Sequence, residues 1–77
     1  MRYKLIAFRG ERSQVEMADI YGVSQQAWSK WERGIDTPKP YLMKQIEIDS
    51  SIPMEELFFD AFNNQMELIA KDQLETK

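Results

Sequence analysis

Three glycines and three prolines cut this chain into segments of a dozen residues or fewer over its first fifty positions, and that punctuation limits its fold to short packed helices. Leu5, Ile6 and Phe8 predict a first helix over about Tyr3 to Arg9, with Gly10 placed to stop it. Ser13, followed three residues later by Glu16, forms a capping-box pattern for a second helix. Met17, Ala18 and Tyr21 fall on one side of it, and Gly22 ends it. Gly22, Val23 and Ser24 alone separate it from a third helix, for which Ser24 is the natural N-cap and Gly34 the stop after Arg33. The prolines in Asp36-Thr37-Pro38-Lys39-Pro40 predict a loop, then a fourth helix over about Pro40 to Ile48. After the DSSIP turn, Pro53 opens a last helix, extended to about residue 71, with Glu55 and Glu56 near its positive end. Little is left for strands, so the expected class is all-α. Residues 1–77 read as one domain with no repeat, linker or low-complexity tract.

The residue types that are missing narrow the function. The chain has no His and no Cys, which removes the usual zinc ligands, the Ser-His and Cys-His nucleophile systems and the commonest base near neutral pH. Its carboxylates are scattered, with no D-x-D-x-D-G loop and no Gly-rich phosphate cradle. The expectation is no catalytic residue, no metal site, no cofactor and no small-molecule ligand: not an enzyme. No apolar run is long enough to span a bilayer, and LIAF near the N-terminus is too short for a secretory signal. A cytoplasmic protein without membrane contact is expected.

Net charge is −3, which argues superficially against nucleic acid as a partner. Residues 1–44, however, hold eight Lys/Arg against five Asp/Glu, for +3, while residues 45–77 hold two against eight, for −6. The halves differ in sign, so the whole-chain charge does not describe what the N-terminal half can touch.

The third helix is the most informative stretch. On a wheel of about 100° per residue starting at Ser24, Ala27, Trp28 and Trp31 lie at about 300°, 40° and 340°. Gln26, Ser29 and Arg33 lie opposite, at about 200°, 140° and 180°, with Gln25 and Lys30 on their flanks. The tryptophan side should anchor the helix and the amide side should face outward. A plain amphipathic helix with a solvated polar face has the same pattern. Two features favour a reading surface: the outward face has no acid and carries glutamines able to pair bidentately with adenine, and a short helix precedes it across a Gly-containing turn.

Ser13-Gln14, Ala18, Gly22-Val23-Ser24, Ser29, Trp31-Glu32-Arg33-Gly34 and Pro38 form an ordered series that resembles the helix-turn-helix of the phage repressor/Cro-like family, also called the XRE family. The resemblance covers residues 2 to about 58. It implies a five-helix, lambda-repressor-like DNA-binding domain, with the helix-turn-helix at about 13–33 and helix 3 in the major groove. It also implies base-facing positions for Gln25, Gln26, Ser29 and Lys30, and for Gln14 a phosphate-contacting position that supports the recognition helix; Ser24 and, reaching phosphate from the far end of helix 3, Arg33 complete the expected DNA-binding set. Trp28 stands where the family usually has a smaller aliphatic, so the core must hold a larger ring. Glu32 near a helix C-terminus calls for a compensating arginine, and Arg9 is the expected partner.

Treated as one helix, the C-terminal segment has an apolar arc of about 200°, wider than the stripe of little more than 100° that a single core needs. One edge (Met54, Leu57, Phe58, Ala61) would seal the domain, and the other (Phe59, Phe62, Met66, Ile69) would form a homodimer interface. The expected function is a sequence-specific double-stranded-DNA-binding transcriptional regulator, a repressor in the simplest case, acting as a dimer on a palindromic operator. The alternatives are a protein-interaction module, or an antitoxin or controller-type protein, on the same fold.

Overall fold

Each helix begins and ends where local hydrogen bonding lets it. The structure, a computed structural model, describes residues 1–62. In order these form α1 (Tyr3–Arg9), α2 (Gln14–Tyr21), α3 (Gln25–Arg33), α4 (Pro40–Ser50) and α5 (Met54–Leu57), and residues 59–62 are helical again. Among the described residues there is no strand, and no helix is long and apolar enough to cross a membrane.

Both halves of the expected capping box are present at α2: Ser13 Oγ accepts from the Glu16 N–H at 3.0 Å, and Glu16 Oε1 accepts from the Ser13 N–H at 3.3 Å. At its other end Gly22 is left-handed (φ 66°), which turns the Val23 N–H onto the Ala18 carbonyl at 2.9 Å. Gly34 repeats this after α3 at φ 76°, with the Ile35 N–H on the Lys30 carbonyl at 3.0 Å. An L side chain is strained at such angles, so glycine lets the chain leave both helices abruptly. The end of α1 is covered differently. The Arg12 guanidinium reaches back to the Phe8 and Arg9 carbonyls at 2.8 and 3.2 Å.

α4 runs two residues beyond the expected Ile48 and stops at Ser51, a non-glycine residue in the left-handed region at φ 58°. Pro53 offers no side-chain cap to α5. The Glu47 carboxylate on α4 supplies one, accepting from the Met54 N–H at 2.8 Å.

The core draws on all five helices: Leu5, Met17, Ala18, Tyr21, Trp28, Trp31, Ile46, Leu57 and Phe58 are buried. Trp28 is fully enclosed, stacked on Tyr21 (ring centroids 5.7 Å, 10° between planes) and edge-on to Trp31 (5.6 Å, 61°). Such pairs add to the stabilisation that ring burial provides.

The continuous last helix from residue 53 is not what forms. Phe58 leaves helical geometry (φ −121°, ψ 43°), and its carbonyl then starts a new helical turn by accepting from the Ala61 and Phe62 N–H groups at 3.0 and 3.3 Å. The cause is Arg2, only 2% exposed. Its guanidinium lies over the Phe58 ring, 5.1 Å from the centroid, while Nε and Nη2 donate to the two Asp60 carboxylate oxygens at 2.8 and 3.1 Å. Residues two apart on a straight helix point to opposite sides. Seating both Phe58 and Asp60 on one arginine therefore requires the break. The 200° arc, drawn on an unbroken helix, does not survive it. The part of the expected helix after residue 62 lies outside the described residues.

Candidate nucleic-acid interface

The face of α3 expected outward is outward. Gln25, Gln26, Lys30 and Arg33 are exposed and Ser29 is half-buried, while Trp28 and Trp31 on the other side are buried. Ser24 is also exposed, but its Oγ is engaged in capping α3, accepting from the Ala27 N–H at 3.1 Å, which leaves its hydroxyl proton to donate outward. Arg33 folds back along its own helix, with Nε 3.4 Å from the Ser29 carbonyl. Among the described residues the Gln26 and Lys30 side chains have no hydrogen-bond or ion-pair partner, so both are free to engage a ligand.

Gln25 is not free in that way. Its Nε2 donates to Gln14 Oε1 at 2.8 Å, and Gln14 Nε2 donates in turn to Glu32 Oε1 at 3.0 Å. Glu32 is 2% exposed and is the centre of this network. Arg9 grips it bidentately, Nε to Oε2 at 2.6 Å and Nη2 to Oε1 at 3.2 Å, as the sequence predicts. The Trp28 indole N–H adds a further donation to Oε2 at 2.6 Å. Burial pushes the Glu32 carboxyl upward, and the hydrogen bonds from Arg9, Gln14 and Trp28 together with the Arg9 charge outweigh it, so the group is held below the ordinary glutamate value and is a carboxylate at neutral pH.

Sequence reasoning paired Glu32 with Arg9 but missed the indole and both glutamines. A signal existed: on the α3 wheel Glu32 lies at about 80°, beside Trp28 at about 40°, on the apolar side where an unpaired acid is untenable. Arg2 gave no such signal. A basic residue at the second position reads as solvated, and the count of +3 included it.

The charge available to a polyanion is correspondingly rearranged. Arg2, Lys4, Arg9 and Lys44 are paired with Asp60, Glu56, Glu32 and Glu47. Arg12 is turned onto α1. Arg12, Lys30, Arg33 and Lys39 have no ion pair among the described residues, and Lys30 and Arg33 stand on the outward face of α3. Two of these cations thus stand on the same helix face as the glutamines.

The residues expected at a dimer interface separate. Phe59 is 45% exposed and, with Tyr3, Lys4, Glu55 and Glu56, lines a shallow groove between α1 and α5. Phe62, placed by the wheel on the same exposed edge, packs partly against the chain's own core. Met66 and Ile69 lie outside the described residues. The groove and the α3 face are built from different parts of the fold, joined through the Arg2 contacts to the Trp31 and Asp36 carbonyls and to Asp60. The chain matches no protein-family model, no curated protein and no solved structure.

Proposed function

We propose that the chain is a sequence-specific double-stranded-DNA-binding transcriptional regulator that reads the major groove with α3. The observation that carries this reading is the outward face of α3: amides, a hydroxyl and two cations, without an exposed acid, on a helix anchored by two buried indoles. A major groove admits a helix of this width, and its base edges present the donors and acceptors that amides match. α2 and α3, joined across Gly22 to Ser24, supply the helix-turn-helix of the lambda-repressor-like arrangement that the sequence resembles. Arg33, Ser24 and the first turn of α2 serve the phosphates, and Gln25, Gln26, Ser29 and Lys30 serve the bases. Repression follows from occluding a promoter.

The few cations without an ion pair among the described residues bind a polyanion weakly and with steep salt dependence, so two copies on a palindrome, with half-sites about 10 bp apart or a multiple of that, are needed for useful affinity. The α1/α5 groove suits a second copy of this chain. Two exposed rings, Tyr3 and Phe59, are flanked by the Lys4–Glu56 pair and by Glu55, and a two-fold axis would bring the rings of the two protomers together inside that polar rim. Phe59→Glu is expected to shift sedimentation to the monomer and weaken operator binding while helix content stays intact. Unchanged sedimentation would remove Phe59 from the interface. Phe62→Glu is a poorer probe, because that ring also touches the core of its own chain.

Selection of preferred sites from random DNA, followed by mobility-shift titration at two salt concentrations, tests the main reading. A regulator gives a defined half-site with salt-sensitive affinity, whereas a protein-interaction module selects nothing. Gln26→Ala is expected to cost about 1–3 kcal/mol on the selected site and to relax one base preference. An equal loss on all sequences would reduce Gln26 to a backbone contact.

A further inference from the structure

The residue that opens α1 holds the ends of two other elements. α1 packs on both α3 and α5, and Arg2, its N-cap, donates its backbone N–H to the Glu32 carbonyl at 2.7 Å. All five N–H donors of its guanidinium find acceptors. Nη1 reaches the Trp31 and Asp36 carbonyls at 3.0 and 2.7 Å, in the last turn of α3 and in the loop after it. Nη2 reaches Thr37 Oγ1 at 3.0 Å, and Nε and Nη2 together take both oxygens of Asp60 at 2.8 and 3.1 Å. Asp60 Oδ2 also lies 3.5 Å from where a side chain would begin on Gly34, the residue that ends α3. A two-pronged contact between arginine and carboxylate fixes direction as well as distance.

Phe59 stands between two residues that this one guanidinium holds. The Phe58 ring lies under it, 5.1 Å away at the centroid, and the Asp60 carboxylate is bound to it, while Phe59 itself lines the α1/α5 groove. The exposed ring is therefore tied to the last turn of α3 through a side chain only 2% exposed. In a dimer built on that groove, this tie decides how the two reading helices are set relative to each other. Spacing is what such a tie selects, because one added base pair moves a half-site about 3.4 Å along the duplex and turns it by about 35°. A rigid dimer loses its second contact there, and a hinged one follows the site.

We propose that Arg2, through its pair with Asp60, is a specificity-determining positioning residue for half-site spacing: it locks the dimer surface at Phe59 to the reading helix α3. The proposal rests on the DNA-reading dimer above and goes beyond it in naming the residue that makes the dimer measure distance. Arg2 is buried, so it acts through Phe59 and α3 and not by touching the operator. Arg2 variants also lose the Trp31 and Asp36 contacts and can unfold the chain, so Asp60→Ala carries the test. It removes the partner of the fork at a side chain 38% exposed, where water takes its place, and leaves the other Arg2 acceptors intact. Asp60→Asn keeps the shape and weakens the pair, and Phe59→Glu breaks the interface itself.

Site selection from random DNA with the wild type supplies the half-site and the preferred spacing. Mobility-shift titration then compares a single half-site, paired half-sites at that spacing, and pairs one base pair closer or farther, for chains matched in helix content by circular dichroism. The wild type is expected to favour its selected spacing about tenfold or more over either neighbour. Asp60→Ala should bind the single half-site as the wild type does and sediment as a dimer, yet hold all spacings within about threefold of one another, with Asp60→Asn between the two. Phe59→Glu should lose the gain from pairing at every spacing. Wild-type spacing discrimination in both Asp60 variants would overturn the proposal. So would a loss of pairing at every spacing, which would place Asp60 in the interface, or a weakening equal on single and paired sites, which would reduce it to a support of the fold. A wild type that selects only single half-sites would overturn the dimer, and this proposal with it, while leaving α3 as a reading helix. One that selects no sequence would overturn DNA reading altogether.

Discussion

Trp28→Ala is expected to lower the unfolding free energy by about 3–5 kcal/mol, the range for emptying a large ring out of a packed core. Trp28 is 0% exposed and touches the core on three sides: Tyr21 stacked on one face, Trp31 at its edge, and Glu32 at its indole nitrogen. A domain near the lower size limit for independent folding has little stability in reserve, so this loss should leave much of the population unfolded at 25 °C. Urea titration followed by circular dichroism measures it. Trp28→Phe separates the contributions, because it keeps a ring in the cavity and deletes only the N–H and part of the volume. It should fold, at a cost of about 1–3 kcal/mol. A cost below about 1 kcal/mol for the alanine variant would mean that the α3 anchor lies elsewhere.

Arg2→Met is the second large effect, about 2–4 kcal/mol. Methionine keeps an apolar stem but leaves the Trp31 and Asp36 carbonyls without the donations they receive at 3.0 and 2.7 Å, and leaves Asp60 without its partner. Asp60 is 38% exposed at its side chain, so water recovers part of its hydration and the cost stays below that of a fully buried pair. The bond from Arg2 pulls the Asp60 carboxyl below the usual aspartate value, against the opposing effect of burial and assisted by the arginine charge. A double-mutant cycle of Arg2→Met with Asp60→Asn isolates the pair. Non-additivity of at least about 0.5 kcal/mol is expected for a direct contact, and strictly additive losses would reduce Asp60 to a neighbour. Arg2→Met should also loosen the break at Phe58, since the guanidinium holds Phe58 and Asp60 on one side.

The candidate site was partly legible in advance. The outward glutamines follow from a helical wheel and the inward tryptophans from the same wheel, because both depend only on spacing within nine residues. The Arg9–Glu32 pair was reachable because an acid near a helix C-terminus demands a cation. What the wheel cannot express is the direction in which an amide points, which depends on a carboxylate 18 residues away from Gln14.

Local chemistry decided where α2 and α3 begin and end. A serine hydroxyl three residues from the N–H it caps and a glycine left-handed after the last turn act within a few covalent bonds, so Ser13, Gly22, Ser24 and Gly34 could be read directly from the chain. Tertiary structure alone decided that Arg2 is interior, that Phe58 interrupts the last helix and that Glu32 accepts from Gln14. Those outcomes rest on partners 58, 29 and 18 residues apart, which meet only once the helices pack, and burial then turns a solvated charge into one that must find donors or acceptors wherever the fold has placed them.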